Sequence, residues 1–118
     1  MTYLSEFDEY QSLALRTASP TSTESELAML TSAALGLSGE SGEIADHVKK
    51  IVYHGHPLDE ATRDKIAKEI GDILWYCAIG AKGIGVELGE IARMNVEKLR
   101  KRYPEGFSAE RSLNRPHG

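Results

Sequence analysis

Cysteine is almost missing from this chain. Cys77 stands alone, which excludes an internal disulfide and a cysteine-based zinc site and fits a reducing compartment. The opening Met1-Thr2-Tyr3-Leu4-Ser5-Glu6 lacks a basic segment followed by an apolar one, so no secretory signal is expected. Long hydrophobic runs are missing too. The longest, Ile73 to Ala81, falls far short of the ~20 residues that span a bilayer. Together these absences make the cytoplasm the default expectation. Positive charge is not in excess either. The formal net charge of -4 argues against nucleic acid as the main partner, and an acidic protein that handled phosphates would need metal ions to neutralise them.

Several catalytic signatures are absent as well. There is no Gly-Lys-Ser/Thr phosphate loop and no Glu-x-x-His pair, which counts against a ferritin-like di-iron bundle. His47, His54 and His56 have no partners at zinc spacing, and Ser38 and Ser41 have no base beside them. No segment alternates as strands do.

Helical periodicity is what remains. With 118 residues, 41% hydrophobic and 27% charged, the chain reads as one all-α domain over 1-118, a four- to five-helix bundle. A first helix is expected from Ser5 to Thr17, with Ser5 and Asp8 as a capping box. The hydroxyl-rich loop around Pro20 follows. A second helix runs from Glu24 to Tyr53, with its seam at Leu27, Leu30, Ala34, Leu37, Ser41, Ile44, Val48 and Ile51. A third spans Asp59 to Gly83, with its seam at Ile66, Ile70, Ile73, Cys77, Gly80 and Ile84. It is apolar beyond that stripe, so it should be the most buried. A fourth covers Glu87 to Tyr103 through Leu88, Ala92, Asn95, Leu99 and Tyr103. Residues 108-118 read as a loose polar tail. Four helices of this length cannot cover so much apolar surface, so a homodimer or homotetramer is expected.

The second helix holds an anomaly. Gly36, Gly39 and Gly42 recur inside it, although an interior glycine costs about 1 kcal/mol relative to alanine. Close approach by a helix or a ligand would explain them. Glu40 and Glu43 lie among them one turn apart. Other acidic pairs at this spacing, Glu6/Glu9 and Glu87/Glu90, fall in first turns, where the helix dipole accounts for them. Glu40/Glu43 and Glu69/Asp72 lie in helix interiors, each pair one residue before its seam. One residue is about 100° of rotation, so both pairs flank the apolar stripes. Packed along those seams, the two helices would bring four carboxylates together, and cations would relieve their repulsion. All-oxygen ligation suits Mg²⁺, with Mn²⁺ also possible. The bland alternative is a set of solvated acids paired with Lys49, Lys50 or Lys68.

Three further features lean toward phosphate chemistry. Asn95 interrupts the seam of the fourth helix, and Lys98 and Arg102 follow it at helical spacing, a stripe able to meet phosphate oxygens. An ordinary buried amide and a basic helix end explain the same residues. Tyr76 lies one turn beyond Asp72 with Trp75 beside it. Either could stack on a base, although aromatics at such positions are more often core.

Taken in order, Gly39-Glu40-Ser41-Gly42-Glu43-Ile44-Ala45, Lys68-Glu69-Ile70-Gly71-Asp72-Ile73-Leu74-Trp75-Tyr76 and Asn95-Val96-Glu97-Lys98-Leu99-Arg100-Lys101-Arg102-Tyr103-Pro104 resemble the MazG-like nucleotide pyrophosphohydrolases. These belong to the all-α NTP pyrophosphatase superfamily. The family pattern is Glu-Glu-x-x-Glu followed by Glu-x-x-Asp. Here the leading glutamate is Gly39, while Glu40, Glu43, Glu69 and Asp72 keep the four positions that hold Mg²⁺ in the family. The resemblance implies that Asn95, Lys98 and Arg102 meet a triphosphate, with Lys65 as a further match. It also implies hydrolysis of a nucleoside triphosphate to monophosphate and pyrophosphate by attack at the α-phosphorus, and a housecleaning role in the nucleotide pool. Glu43 is the candidate proton acceptor. An inactive helical oligomerisation module and a nucleotide-binding regulator are the competing readings.

Overall fold

The computed structural model describes residues 2–114. It is all-helical: α1 (Thr2–Leu15), α2 (Glu26–His54), α3 (Glu60–Gly83), α4 (Leu88–Arg102) and a short α5 (Ala109–Leu113). Local signals set most of the ends. The Ser25 side chain accepts from Ala28 N–H at 3.0 Å and starts α2, two residues later than the expected Glu24. Asp59 does the same for α3 through Thr62 N–H at 2.9 Å. Gly55, at φ 71°, closes α2 in the left-handed region that glycine enters freely. Gly85, at φ 72°, turns the chain from α3 to α4.

The expected capping box of α1 does not form. Ser5 lies inside α1, which starts earlier, and Asp8 serves another helix. The Asp8 side chain accepts from Gly89 N–H at 2.8 Å, and Gln11 Oε1 accepts from Leu88 N–H at 2.9 Å. Two side chains of α1 therefore cap α4, whose own cap residue Glu87 makes no such bond. Gln11 is buried, and its amide nitrogen donates to Ala78 O and Val86 O. This one residue ties α1 to α3, to the turn after it and to α4. The expected loose tail is partly ordered as α5, capped by Ser108; residues 115–118 lie outside the described residues.

The core sits where α1, the second half of α3 and the start of α4 meet. Ala14, Ala78, Ala81 and Leu88 cluster there, with Phe7, Tyr10, Trp75, Cys77 and Ile91 packed around them. Ile79 is fully enclosed. The expectation that the third helix is the most buried therefore holds for its second half. Trp75 Nε1 donates to Thr17 Oγ1 at 2.8 Å and to Ala14 O at 3.1 Å, anchoring α3 to the end of α1.

Helices α2 and α3 form a long antiparallel pair that keeps one row of the expected α2 seam inward, with Leu37, Ile44 and Ile51 half-buried, and turns the other row out. A Cβ on Gly80 would meet Ala33 Cβ at 3.1 Å, and one on Gly83 would meet Leu30 and Met29 at 3.2 Å. Ala33 is the buried residue of α2. The line Ala33-Gly36-Glu40 thus faces α3, about one residue round from the expected stripe. Small side chains let two helix backbones approach closely, which favours this line over the bulkier one. Leu27 (74% exposed), Ala34, Ser41 and Val48 are left in the open. On α3, Ile70 is 55% exposed. The α4 seam also shifts: Ile91, Ala92 and Val96 turn inward, and Asn95 is exposed rather than buried.

Much apolar surface therefore remains uncovered. The accessible area is 8412 Å², against about 6,300 Å² for a compact monomer of this mass. The radius of gyration is 17.1 Å, against about 13.5 Å for a compact domain of this length. No helix among the described residues is long and apolar enough to cross a membrane.

Candidate functional site

Because Glu40 stands on the face of α2 that meets α3, it comes directly opposite Glu69 and Asp72. Carboxylate oxygens from these three residues all lie within 4.8 Å of one another. Glu40 and Glu69 are half-buried, and Asp72 is exposed at the rim. The Glu40 Oε2 atom is shielded from solvent and finds no partner. Its carboxyl is pushed up to about 7, chiefly by the neighbouring Glu69 carboxyl, then by desolvation and by the charges of Glu69, Asp72 and Glu43. A carboxyl that holds its proton near neutrality is the response of crowded acids without a cation.

Glu43 stands outside this cluster. It is exposed, one turn further along α2, and close enough for its charge to raise both Glu40 and Lys50. The offset follows from the shifted seam. With Glu40 on the contact line, a residue three positions on is rotated about 60° toward the flank.

The lysines that might have neutralised these acids are engaged elsewhere. Lys49 and Lys50 pair with Asp46 at 3.0 and 2.8 Å, holding its carboxyl down to about 2. Lys68 pairs with Asp64 at 3.1 Å. The alternative of ordinary surface ion pairs thus fails for Glu40, Glu69 and Asp72 among the described residues.

A divalent cation fits what is left. The donors are all carboxylate oxygens, the set that hard Mg²⁺ and Mn²⁺ take. Glu40, Glu69 and Asp72 would hold such an ion, which would neutralise the charge they share.

The other candidate residues are more scattered. Lys65 is exposed on α3, one turn before Glu69. Tyr76 is half-buried, its ring on the α2 backbone at Gly36 and edge-to-face with Trp75 at 5.0 Å. Asn95 and Lys98 are exposed on α4, which packs mainly on α1. Arg102 is half-buried, with its Nε shielded and unpartnered among the described residues. The ion pairs of the described residues involve Lys49, Lys50, Lys68 and Arg93, so none joins Lys98 or Arg102 to the acids.

Sequence reasoning missed Tyr10. Its phenol is raised by desolvation, then by the charge of Asp72, which reaches it across the α1–α3 contact. Nothing in the local sequence signals this, because the approach of α1 to α3 is tertiary.

Residues 29–107, well over half of the chain, match the family model described as the MazG nucleotide pyrophosphohydrolase domain. The chain is also 38% identical over 73 residues to the Gene 37 protein of Mycobacterium phage L5. That alignment covers 61% of this chain and 64% of the phage protein, less than two thirds of the relative's length. No solved structure matches.

Proposed function

Since this chain belongs to the MazG nucleotide pyrophosphohydrolase family, we propose that it is a divalent-metal-dependent hydrolase that splits nucleoside triphosphates into monophosphate and pyrophosphate. The observation that carries the reading is the meeting of Glu40, Glu69 and Asp72 within 4.8 Å, with no cationic side chain among them. Four acids, these three and Glu43, would hold Mg²⁺ or Mn²⁺. Such an ion supplies charge neutralisation at the phosphates and makes water more acidic.

The chain's own residues have separate tasks. Glu43, exposed one turn from Glu40, would take the proton of the water that attacks the α-phosphorus. Lys65 would draw the β- and γ-phosphates along α3, lowering the charge that builds on the pyrophosphate leaving group. We assign the same task to Asn95, Lys98 and Arg102. These three stand on α4, which packs mainly on α1 and less on α3.

The uncovered stripe of α2, from Leu27 to Val52, is the face on which we place a second copy of the chain, giving a homodimer or homotetramer. The cellular setting follows the family: a cytoplasmic role in clearing unwanted nucleotides.

The test is to mix the protein with Mg²⁺ or Mn²⁺ and a panel of NTPs and dNTPs, then measure pyrophosphate. Metal-dependent release from at least one nucleotide is expected. Thermal stabilisation by nucleotide without pyrophosphate would make the protein a binder instead, and no response to any nucleotide would leave a structural module.

A further inference from the structure

Helix α4 does not hold its own start. Glu87, its cap residue, makes no side-chain cap bond. The Glu87 carboxyl is raised above its ordinary value chiefly by a hydrogen bond with Asp8 of α1, so it is turned away from its own helix. The capping bonds come from α1 instead. Asp8 Oδ1 accepts from Gly89 N–H at 2.8 Å, and Gln11 Oε1 accepts from Leu88 N–H at 2.9 Å. Gln11 is locked in turn by donating to Ala78 O and Val86 O. Leu88 and Gly89 are buried at this joint, and Asp8 is half-buried beside them. The far part of α4 is less enclosed: Asn95 and Lys98 are exposed, with Met94 at 54% and Leu99 at 42%. Helix α1, Thr2–Leu15, lies outside residues 29–107, which match the family model.

Resting on the nucleotide reading above, we propose that Asp8 is a positioning residue, which sets the direction in which α4 carries Asn95, Lys98 and Arg102 to the triphosphate. Successive residues stand about 100° apart around a helix. The bond at Gly89 therefore stops a pivot that the bond at Leu88 alone would allow. With a rise of about 1.5 Å per residue, the three side chains lie roughly 9 to 20 Å beyond Gly89. A tilt of about 10° at the joint would displace them by roughly 2–3 Å. Misplacement by about 1 Å can cost about 100-fold where groups must meet in one geometry. A cap supplied by residue 87 would stabilise the start of α4 as well, but it would tie the helix to nothing outside itself. The tie to α1 is what gives α4 a direction.

Equilibrium binding to the full chain in Mn²⁺ tests this with two probes, a non-hydrolysable nucleoside triphosphate analogue and a nucleoside monophosphate, which lacks the phosphates assigned to α4. Asp8→Ala should weaken the triphosphate by about 10-fold, the worth of one hydrogen bond to a charged group, and leave the monophosphate within about two-fold. Asp8→Asn keeps an acceptor oxygen at the same place and should retain the wild-type affinity. If Asp8→Ala does not fold, Asp8→Glu, whose acceptor sits one carbon further out, is read in its place. In a chain that also carries Lys98→Ala and Arg102→Ala, Asp8→Ala should cost nothing more, because the groups it directs are gone. Adding Glu87→Ser to Asp8→Ala gives α4 a cap of its own and should not restore the triphosphate affinity. Restoration by Glu87→Ser would reduce Asp8 to an ordinary helix cap and overturn the proposal. Equal loss of both probes, loss of neither, or a loss that persists without Lys98 and Arg102 overturns it as well. A wild-type protein that binds the triphosphate as well without Lys98 and Arg102 as with them overturns the positioning role and leaves the nucleotide reading standing. A wild-type protein that binds neither probe overturns both.

Discussion

The two halves of α3 live in different environments. From Trp75 onward it is enclosed by α1 and the start of α4, with Ile79 fully buried and Gln11 satisfying three backbone groups around it. Before that its inward face meets α2 at the acids, where Glu40 comes opposite Glu69 and Asp72. The enclosed half pays for the acidic one: crowded carboxylates repel, and what holds them in place is packing one or two turns away. Substitutions should therefore separate stability from chemistry along a single helix.

The sharpest break in that comparison is expected at Glu43. Glu43→Gln should lower pyrophosphate release by roughly 10²- to 10⁴-fold, the usual worth of a proton acceptor, with an unchanged melting temperature. Near-wild-type turnover in that variant would remove Glu43 from the mechanism. In the other half, Ile79→Ala should cost about 2–5 kcal/mol of stability, read by chemical denaturation. The residual folded protein should still bind metal. If Glu69→Gln destabilises as much as Ile79→Ala, the division between the halves is wrong.

A smaller effect is expected at the joint. Gln11→Ala leaves Leu88 N–H, Ala78 O and Val86 O without their partner. The loss should be about 1–3 kcal/mol, seen as a lower denaturation midpoint and faster hydrogen exchange at the start of α4.

Protonation offers a test confined to the acidic half. Glu40 is raised from its ordinary 4.5 to about 7, so between those values the folded protein holds a proton that the unfolded chain does not. By linkage, the stabilisation is fully present below 4.5 and is lost as pH rises through about 7. Without metal, the melting temperature should fall across that window. With saturating Mg²⁺ the fall should vanish, and metal affinity should rise with pH because binding displaces the proton. In Glu40→Gln the step near pH 7 should disappear; its persistence would assign the proton elsewhere.

The mildest prediction compares two glycines. Gly39→Ala enters open space and should stabilise α2 by about 0.5–1 kcal/mol. Gly36→Ala collides with Tyr76 and should destabilise. Equal effects of the two substitutions on thermal unfolding would show that the contact between Gly36 and Tyr76 carries no constraint.

Much of this was readable in the order of residues. Helical periodicity, Ser25, Asp59 and Gly55 fix where α2 and α3 begin and end, because capping and turn conformations are local. The motifs around Glu40, Glu69 and Asn95 carry the family resemblance, and the family match agrees with it. The interface was not readable. Two stripes of α2 satisfy the helical period, one bulky and one small, and periodicity cannot choose between them. Packing chooses the small one, since Ala33 and Gly36 let α3 come close enough to seat Tyr76. That choice turns Glu40 toward Glu69 and Asp72, leaves Glu43 on the flank and strands Leu27 in the open. The sequence by itself determined the helices and the chemistry they carry. Only the tertiary structure decided which face of each helix meets its neighbour, because that depends on side chains far apart in the chain filling one another's space.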